Sequence, residues 1–237
     1  MVRTSASADL LAQLRAELQR AADPAKAAGM QSYMKSAMPY HGVPAVPMRL
    51  ICKKVFAPLH FDSAARWREA VLALWRGAEF REERYAAIEL AEHRLARPFQ
   101  DLEALPMYEE MIVTGAWWDY VDAIATHRLS ALLLREPVAL GRIMREWSRC
   151  DDLWKRRSAI LCQIPLKKQT DPVLLADCIA PALPAREFFL RKAIGWALRQ
   201  YADTAPQWVI DYVRAHDAEL SPLSKREALR KLARVAV

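Results

Sequence analysis

Glycine is scarce in this sequence, and patterns typical of β-strands are missing. Only six of the 237 residues are glycine, and no run alternates Val, Ile or Thr with polar residues. Ala, Leu, Arg and Glu are abundant instead, and these residues favour helix. Because the chain is 53% hydrophobic and 27% charged, it can bury a substantial core. The composition therefore predicts an all-α protein and excludes a disordered one.

Signals for membrane insertion, secretion and metal binding are also missing. No apolar run approaches the roughly 18 residues that cross a bilayer. The first ten residues, MVRTSASADL, lack the apolar core of a secretory signal. The cysteines form no CxxC pair and have no histidine at ligand spacing; they are Cys52, Cys150, Cys162 and Cys178. We therefore expect a cytoplasmic protein with reduced, mostly buried thiols, and with no metal, no cofactor and no membrane partner.

Negative charge is in the minority. Lys and Arg number 35 against 28 Asp and Glu, which leaves a net charge of +7. This cationic excess suits a polyanionic partner, and nucleic acid fits it better than a membrane surface does. The sequence contains no GxxxxGK(S/T) phosphate loop, no HExxH zinc motif and no GxSxG nucleophile motif. The charge pattern points to nucleic acid without identifying a reaction.

A short signature, Ala followed by Ile or Leu, recurs along the chain. It begins at Ala87, Ala123, Ala159, Ala193 and Ala228, at intervals of 36, 36, 34 and 35 residues. Such a period accommodates two antiparallel helices and their turns, which is the unit of an α-solenoid. No linker rich in Gly or Ser interrupts the chain. We therefore predict one α-solenoid superhelix over residues 1–237, with a concave basic groove and only the first few residues disordered.

Prolines mark the boundaries of the predicted helices. Several of them fall between apolar-periodic stretches, where proline starts or stops a helix; they are Pro24, Pro98, Pro106, Pro137, Pro172, Pro206 and Pro222. In the first part of the chain, helices are predicted over residues 8–22, 24–37, 47–56 and 63–76. Partner helices of the repeat are predicted over residues 107–114, 138–147 and 173–180.

Equivalent positions of stacked repeats lie side by side on one face. Counted from the repeated alanine, Trp118 lies five residues before it, Asp122 one before and Trp196 three after. At about 100° per residue, these offsets fall within a wedge of about 80°. Cations occupy the same or the neighbouring offset in other repeats: Arg157, Arg191, Lys192 and Arg226. The spacing therefore predicts two indoles and a carboxylate on one basic surface.

A purely structural interpretation accounts for the same residues. Trp118, Trp154 and Phe188 all lie five residues before their alanines, so aromatic rings at that offset could simply pack between layers. Asp119 or Asp122 could cap a helix or pair with a neighbouring arginine, and a basic stripe is often only a solvated face. Gly195 favours a special arrangement, because glycine inside a helix costs about 1 kcal/mol relative to alanine and so indicates a close approach.

Five stretches of the chain carry a family pattern, in order and with similar gaps. They are YMKSAMPYHGVP (33–44), EEMIVTGAWWDYVDAI (109–124), LWKRRSAILCQ (153–163), EFFLRKAIGWALRQYA (187–202) and LSPLSKREAL (220–229). Together they resemble the AlkD-type DNA glycosylases, alkylpurine repair enzymes built from HEAT-like repeats. The resemblance implies hydrolytic excision of cationic N3- or N7-alkylated purines from double-stranded DNA. It also implies that the lesion stays in or near the base stack. We expect hydrolysis without strand cleavage, although the sequence leaves open an attack of Lys192 on the abasic product.

The resemblance assigns residues to this activity. In the family, the second tryptophan of the pair, the aspartate four residues later, an arginine of the next repeat and the tryptophan of AIGW line the site. Here these positions are Trp118, Asp122, Arg157 and Trp196. The remaining DNA contacts are expected from Tyr33, Lys35, Arg49, Arg191, Lys192, Lys225 and Arg226. The segment MRLICKK (48–54) departs from the pattern, with Leu50 where a second basic residue is expected.

The chemistry explains these residue types. A cationic alkylpurine is already an activated leaving group, so no general acid has to protonate it. What remains is a sugar resembling an oxocarbenium ion and an attacking water, which a fixed carboxylate at Asp122 would stabilise and orient. Indole faces attract cations by about 0.5–2 kcal/mol, which suits Trp118 and Trp196 beside the sugar. Arg157 is expected to hold the DNA backbone.

Two other functions fit the same sequence. One is a DNA-binding relative that has lost catalysis, although binding alone has no need of an acid facing a polyanion. The other is a protein-binding solenoid scaffold, which would bind DNA weakly and with little dependence on salt. We expect a monomer associated with the nucleoid, because a curved groove for duplex DNA needs no second subunit.

Overall fold

The computed structural model describes residues 5–232 of the chain. All regular structure in these residues is helical and none is strand, which confirms the all-α prediction. The chain forms two compact units, Met1–Gln100 and Asp101–Val237. The single continuous domain and its groove stay predictions, and the expected disorder of the first few residues falls outside the described range. Across residues 5–232, no helix combines the length and the apolar character that crossing a membrane requires.

The first unit contains five α-helices within its described residues. They are α1 (Ser5–Arg20), α2 (Pro24–Met34), α3 (Ala45–Phe56), α4 (Ala64–Gly77) and α5 (Arg81–Glu92), and a 3-10 helix (Arg94–Phe99) follows. Both α1 and α5 pack against α3 and α4. The core between them is aliphatic and aromatic: Leu14, Leu18, Trp67, Leu74 and Trp75 are at most 1% exposed.

Helix α2 is shorter than predicted. The sequence predicted a helix over residues 24–37, but the helix ends at Met34. Lys35 adopts a left-handed backbone, with φ 49° and ψ 41°, and its N–H donates to the carbonyls of Gln31 and Ser32. A left-handed residue at this point ends the helix and satisfies its last carbonyl groups. The prediction failed because lysine is a residue that seldom adopts this conformation.

A loop after α2 is pinned to the start of α5. The fully buried carboxylate of Glu82 accepts hydrogen bonds of 2.9–3.0 Å from three consecutive backbone N–H groups, those of residues 41–43. Gly42 has φ 85°, and an added Cβ would collide with the carbonyl oxygen of Asp23. Only glycine fits there. Because Asp23 also caps α2 through its side chain, this loop fixes the start of α2.

The second unit contains nine α-helices within its described residues. They are α6 (Leu105–Gly115), α7 (Trp118–Ala123), α8 (Ser130–Arg135), α9 (Pro137–Arg149), α10 (Leu153–Leu161), α11 (Pro172–Ile179), α12 (Phe188–Tyr201), α13 (Pro206–Ala215) and α14 (Pro222–Leu229). Short 3-10 helices cover Leu102–Ala104, Ile164–Gln169 and Ala180–Ala182. The predicted partner helices over 107–114, 138–147 and 173–180 correspond to α6, α9 and α11.

Prolines begin many of these helices, as predicted. Within the described residues, most of the predicted boundary prolines lie in the first turn of a helix: Pro24, Pro106, Pro137, Pro172, Pro206 and Pro222. A proline there removes no hydrogen bond, because the first N–H groups of a helix have no partner within it. Pro98 differs, since it lies inside the 3-10 helix Arg94–Phe99.

The recurring alanines fall on α5, α7, α10, α12 and α14. In the second unit these helices pack in chain order, α7 on α10, α10 on α12 and α12 on α14. Ala159, Ala193 and Ala228 are at most 2% exposed, whereas Ala123 is only half-buried. This order of packing is consistent with the predicted helical solenoid. The HEAT-like character of the repeat stays a prediction.

A π-helical segment, Ile124–Leu129, joins α7 and α8 into one rod. The N–H of Ser130 donates to the carbonyl of Ala125, five residues earlier, which is the hydrogen-bond pattern of a π-helix. The hydroxyl of Ser130 also donates to the carbonyl of Cys162, just after the end of α10. Segments of this kind are rare and frequently occur at functional sites. This one begins two residues after Asp122.

Candidate functional site

Asp122 of α7 and Arg157 of α10 form a bidentate ion pair. The Nε of Arg157 donates to Oδ1 of Asp122 at 2.7 Å, and its Nη2 donates to Oδ2 at 2.8 Å. The third nitrogen of the guanidinium, Nη1, donates to the carbonyl oxygen of Phe189 in the first turn of α12, at 2.5 Å. One side chain therefore ties together three helices, α7, α10 and α12.

This ion pair is buried on the arginine side and slightly open on the carboxylate side. The side chain of Arg157 is 4% exposed and that of Asp122 is 14% exposed. Burial raises the pKa of Asp122, the hydrogen bonds and charge of Arg157 lower it, and the charge of Asp119 raises it further, so that the pKa lies above its ordinary value. The site thus presents a largely buried carboxylate whose charge is stabilised by one fixed cation.

The guanidinium of Arg157 is bound entirely within the protein, chiefly to Asp122. All three guanidinium nitrogens donate to protein acceptors, and the residue is 3% exposed. The pairing of Asp122 with an arginine was one of the structural alternatives, and the structure confirms it. The pairing leaves the carboxylate able to act on a substrate, because its two oxygens together have about four lone-pair sites and the arginine occupies only two. A contact between Arg157 and the DNA backbone stays a prediction.

The two neighbouring tryptophans have different surroundings. Trp117 precedes α7 in an extended conformation, with φ −149° and ψ 145°, and its ring centroid lies 5.6 Å from that of Phe189 and 6.2 Å from that of Trp154. Trp118 opens the helix and is half-buried. Because one helical turn separates Trp118 from Asp122, their side chains lie on the same face of α7. The WWD motif therefore packs the first indole against other aromatic rings and places the second on the helix face that carries Asp122.

Trp196 is half-buried on α12. It follows Phe189 by seven residues, which is nearly two turns, so it lies about 10.5 Å further along the same side of the helix. The hydrogen bonds of Arg157 join Asp122 to the start of α12, but they do not involve Trp196. The convergence of Trp118 and Trp196 on one point therefore stays a prediction.

Three aromatic rings pack at the starts of α7, α10 and α12. The ring centroids of Trp154 and Phe189 are 5.0 Å apart, and Trp117 contacts both rings. We call Trp117, Trp154 and Phe189 the aromatic clamp. Trp154 is 8% exposed, which agrees with packing between layers, but Phe188 at the equivalent offset is 59% exposed. The sequence pattern missed Phe189, because the offset rule marks its neighbour.

Glu227 of α14 binds two cations of α12. Lys192 lies 2.7 Å from the carboxylate, and Arg199 contacts it from about two turns further along α12. The hydrogen bond from Lys192 lowers the pKa of Glu227, burial raises it, and the charges of both cations lower it again, so that the net pKa is below its ordinary value. Gly195 lies between these cations and has no room for a side chain, because a Cβ there would lie 2.9 Å from the carbonyl oxygen of Ser224. The predicted close approach at Gly195 is confirmed.

The other cations that were predicted to contact DNA from the second unit differ in their partners. Lys225 lies 2.8 Å from the carboxylate of Asp217. Arg191 donates from Nε to the carbonyl of Ala185 at 2.9 Å. Arg226 is exposed on α14. Each keeps N–H groups that could donate to a phosphate, since Lys has three N–H donors and Arg five.

The first unit contributes three further predicted contacts. Tyr33 is 77% exposed on α2, and Lys35 is exposed at the end of that helix. Arg49 on α3 donates from Nε to Glu89 at 3.1 Å. Leu50, where the family pattern has a basic residue, is 63% exposed. The approach of these residues to DNA stays a prediction.

The cysteines take no part in this site. All four are free thiols; Cys52, Cys162 and Cys178 are buried, and Cys150 is half-buried. Burial raises the pKa of Cys178 to about 12, so its thiol stays protonated and unreactive at neutral pH. Over residues 5–232, no three side chains of His, Cys, Asp or Glu are grouped so that they could hold a metal ion.

Comparison with known proteins gives one consistent result. The sequence matches the model of the DNA alkylation repair enzyme family over residues 14–232. A solved structure, the predicted DNA alkylation repair enzyme from Enterococcus faecalis, is 32% identical, with a TM-score of 0.81 over 90% of this chain and 97% of that one. No curated protein matches the sequence.

Proposed function

Because this chain belongs to the DNA alkylation repair enzyme family, we propose that it is a DNA glycosylase that releases cationic N3- or N7-alkylated purines from double-stranded DNA. The observation that carries the proposal is the carboxylate of Asp122, which Arg157 holds on one side and which solvent reaches on the other. A carboxylate repels phosphates. Its fixed placement in a cationic protein is therefore best explained by a positive charge that develops during a reaction.

The proposed reaction is a hydrolysis. The bond between C1′ of the sugar and N9 of the purine breaks, and its electron pair neutralises the charged base as the base leaves. The sugar then carries the positive charge, which the Asp122 carboxylate stabilises from its fixed position. A water molecule attacks C1′ and gives up a proton. Asp122 accepts this proton more readily than an ordinary aspartate, because burial raises its pKa.

The tryptophans would stabilise the same positive charge on the sugar. An indole face attracts a nearby cation by about 0.5–2 kcal/mol, and more when water is excluded. Trp118 lies one turn before Asp122 on the same helix face, which supports a position beside the sugar. Trp196 would contact the sugar or the base from α12. Both side chains are half-buried, so part of each ring can meet the DNA.

Phosphate contacts are assigned to cations of both units and to one tyrosine. The cations are Arg191, Lys192, Lys225 and Arg226 of the second unit and Lys35 and Arg49 of the first, and the tyrosine is Tyr33 of the first unit. Contacts of this kind provide affinity and register without reading the sequence of the DNA. The protein would therefore recognise damage through the charge and weak bond of the lesion.

The ion pair itself supports one rival function. In a catalytically silent DNA-binding relative, Asp122 and Arg157 would only fasten α7 to α10. Both functions predict DNA binding that weakens as salt rises. Only the glycosylase predicts free base as a product, so the release of base decides between them.

The test is single-turnover excision from methylated duplex DNA without added metal. The wild-type protein should release 7-methylguanine or 3-methyladenine. Asp122→Asn keeps the size of the side chain but removes its charge, and it should lose most of the excision while it still binds the DNA. Asp177→Asn is the matched control, because Asp177 forms a 2.7 Å ion pair with Arg145 that lies outside the site. If the wild-type protein releases no base above background, the silent binder replaces the glycosylase.

A further inference from the structure

The aromatic clamp lies at the starts of the three helices that carry the site. Trp117 directly precedes α7, which holds Trp118 and Asp122. Trp154 is in the first turn of α10, which holds Arg157, and Phe189 is in the first turn of α12. The clamp therefore fixes the spacing of the helices at the end where the reacting groups are attached.

Phe189 contacts Arg157 in two ways. Its carbonyl oxygen accepts the 2.5 Å hydrogen bond from Nη1, and its ring centroid lies 5.9 Å from the Cζ of the guanidinium. The first contact fixes one corner of the guanidinium plane. The second lies within the range of a cation–π contact. Together they hold the edge of Arg157 that Asp122 does not hold.

The ring of Phe189 is itself held by two indoles. Trp154 lies 5.0 Å from it and Trp117 lies 5.6 Å from it, in tilted and edge-on arrangements, which aromatic pairs prefer. A smaller side chain at position 189 would leave a gap between the two indoles. The start of α12 could then shift relative to α10, and the carbonyl of Phe189 would move with it.

We propose that Phe189 is a positioning residue for the reaction: gripped by Trp117 and Trp154, it orients Arg157 and, through Arg157, the carboxylate of Asp122. This inference rests on the proposed function and adds a residue to it. Phe189 touches neither substrate nor reacting atoms. Its effect is to keep the guanidinium aligned with both carboxylate oxygens, so that the charge of Asp122 is stabilised and its carboxylate points in one direction.

The main test is the variant Phe189→Leu, which removes the ring while keeping an apolar side chain. A misplacement of about 1 Å at a catalytic group can cost 100-fold in rate, so we expect single-turnover excision to fall by about 10- to 100-fold. Phe189→Tyr keeps the ring and should restore most of the rate. Phe99→Leu is the matched control, because Phe99 is a half-buried phenylalanine that stacks on Trp67 in the first unit.

A second readout separates positioning from simple stability. The charges that act on Asp122 are Arg157 from α10 and Asp119 from its own helix. Arg157 lowers the pKa of Asp122, so loosening Arg157 should raise that pKa. The acid limb of the rate profile should then move to higher pH in Phe189→Leu. It should stay in place in Phe99→Leu, even if both variants melt at a lower temperature.

The titration of the Asp122 carboxyl carbon by NMR gives the same information without a substrate. A higher pKa in Phe189→Leu than in the wild-type protein supports the clamp, even if the protein releases no base and the proposed function fails. An unchanged titration in a folded Phe189→Leu protein overturns the inference, because Phe189 would then contribute only packing. Full activity of Phe189→Leu with an unmoved acid limb would overturn it as well.

Discussion

Gly195 of α12 lies so close to Glu227 of α14 that a Cβ added to Gly195 would come 2.5 Å from the Cβ of Glu227. The next obstacle is the backbone carbonyl of Ser224, which cannot swing aside as a flexible side chain would. Because the two helices approach this closely, the carboxylate of Glu227 reaches α12 and binds Lys192 and Arg199. The glycine is therefore needed for the contact that fixes the face of α12 next to Trp196.

Gly195→Ala should destabilise the protein although alanine is the better helix former. The extra methyl group overpacks the contact with α14, which typically costs about 1–3 kcal/mol. Gly29→Ala is the matched control, because a Cβ on Gly29 in α2 meets nothing within 4 Å. That change should stabilise the protein by about 0.4–1 kcal/mol. Urea unfolding measures both, and a shift of both variants in the same direction would contradict the packing described here.

Arg157→Gln should leave the Asp122 carboxylate buried without its cation. Removing one partner of a buried ion pair typically costs about 3–5 kcal/mol. The cost should shrink as the pH falls, because the unpaired carboxylate has a raised pKa and its protonation in the folded state removes the buried charge. Urea unfolding at neutral pH and at about pH 5 tests this. The double variant with Asp122→Asn should recover part of the loss, and a loss that is independent of pH would exclude the explanation.

Glu83 should make the free energy of unfolding of the first unit depend on pH in the acid range. Burial raises the pKa of Glu83, but hydrogen bonds from His41, Arg15 and the N–H of Glu79 outweigh this effect and hold the pKa at about 2. Because the folded pKa is depressed, the stabilisation is present above the ordinary carboxyl pKa and is lost as the pH falls towards 2. It amounts to roughly 3 kcal/mol at neutral pH.

The variant Glu83→Gln tests this assignment by urea unfolding across the acid range. It should be less stable than the wild-type protein at neutral pH, and the difference should narrow at low pH. Glu69→Gln is the control, since Glu69 is exposed and lies 3.9 Å from Arg66 on the same helix. An exposed pair of this kind contributes about 0–1 kcal/mol. Equal effects of the two variants would mean that burial of Glu83 is not the cause.

Arg226→Gln should weaken DNA binding uniformly across DNA sequences. Each phosphate contact that is lost reduces the slope of log K against log salt by about 0.9. Binding of undamaged duplex at several salt concentrations measures the slope. Arg142→Gln removes another exposed cation, on α9, that is not among the predicted DNA contacts, so its slope should match that of the wild-type protein. A slope unchanged in Arg226→Gln would remove Arg226 from the interface.

The helices could be predicted from sequence because their signals are local. Proline at the first turn and the period of the recurring alanines depend only on residue order, and the predicted helices overlap the observed ones. The end of α2 could not be predicted in this way. It depends on the backbone of Lys35, which local preference would not place in the left-handed region.

The site was predictable in part. The offsets from the repeated alanine identified Asp122 and Arg157 as members of one layered face, and the structure joins them by direct hydrogen bonds. The packing of Trp117 and Phe189 was not predictable. The direction of the Trp117 ring follows from the extended backbone of that residue before α7, and Phe189 lies next to the position that the offset rule marks. The acceptor for the third nitrogen of Arg157 is a backbone carbonyl, which every residue carries and no motif can mark.

The π-helical segment between Asp122 and Ser130 has a consequence for how this chain tolerates change in length. Through these two residues the rod contacts α10 at Arg157 and, just after the end of α10, the carbonyl of Cys162. Eight residues of regular α-helix would leave the two side chains about 80° apart, whereas seven leave them about 20° apart. The π-helical turn is wider than an α-helical turn and accommodates the one extra residue. Excising a single residue inside the bulge would thus leave both attachments facing α10, while excising Ala123, between Asp122 and the bulge, would swing one of them away by about 100°.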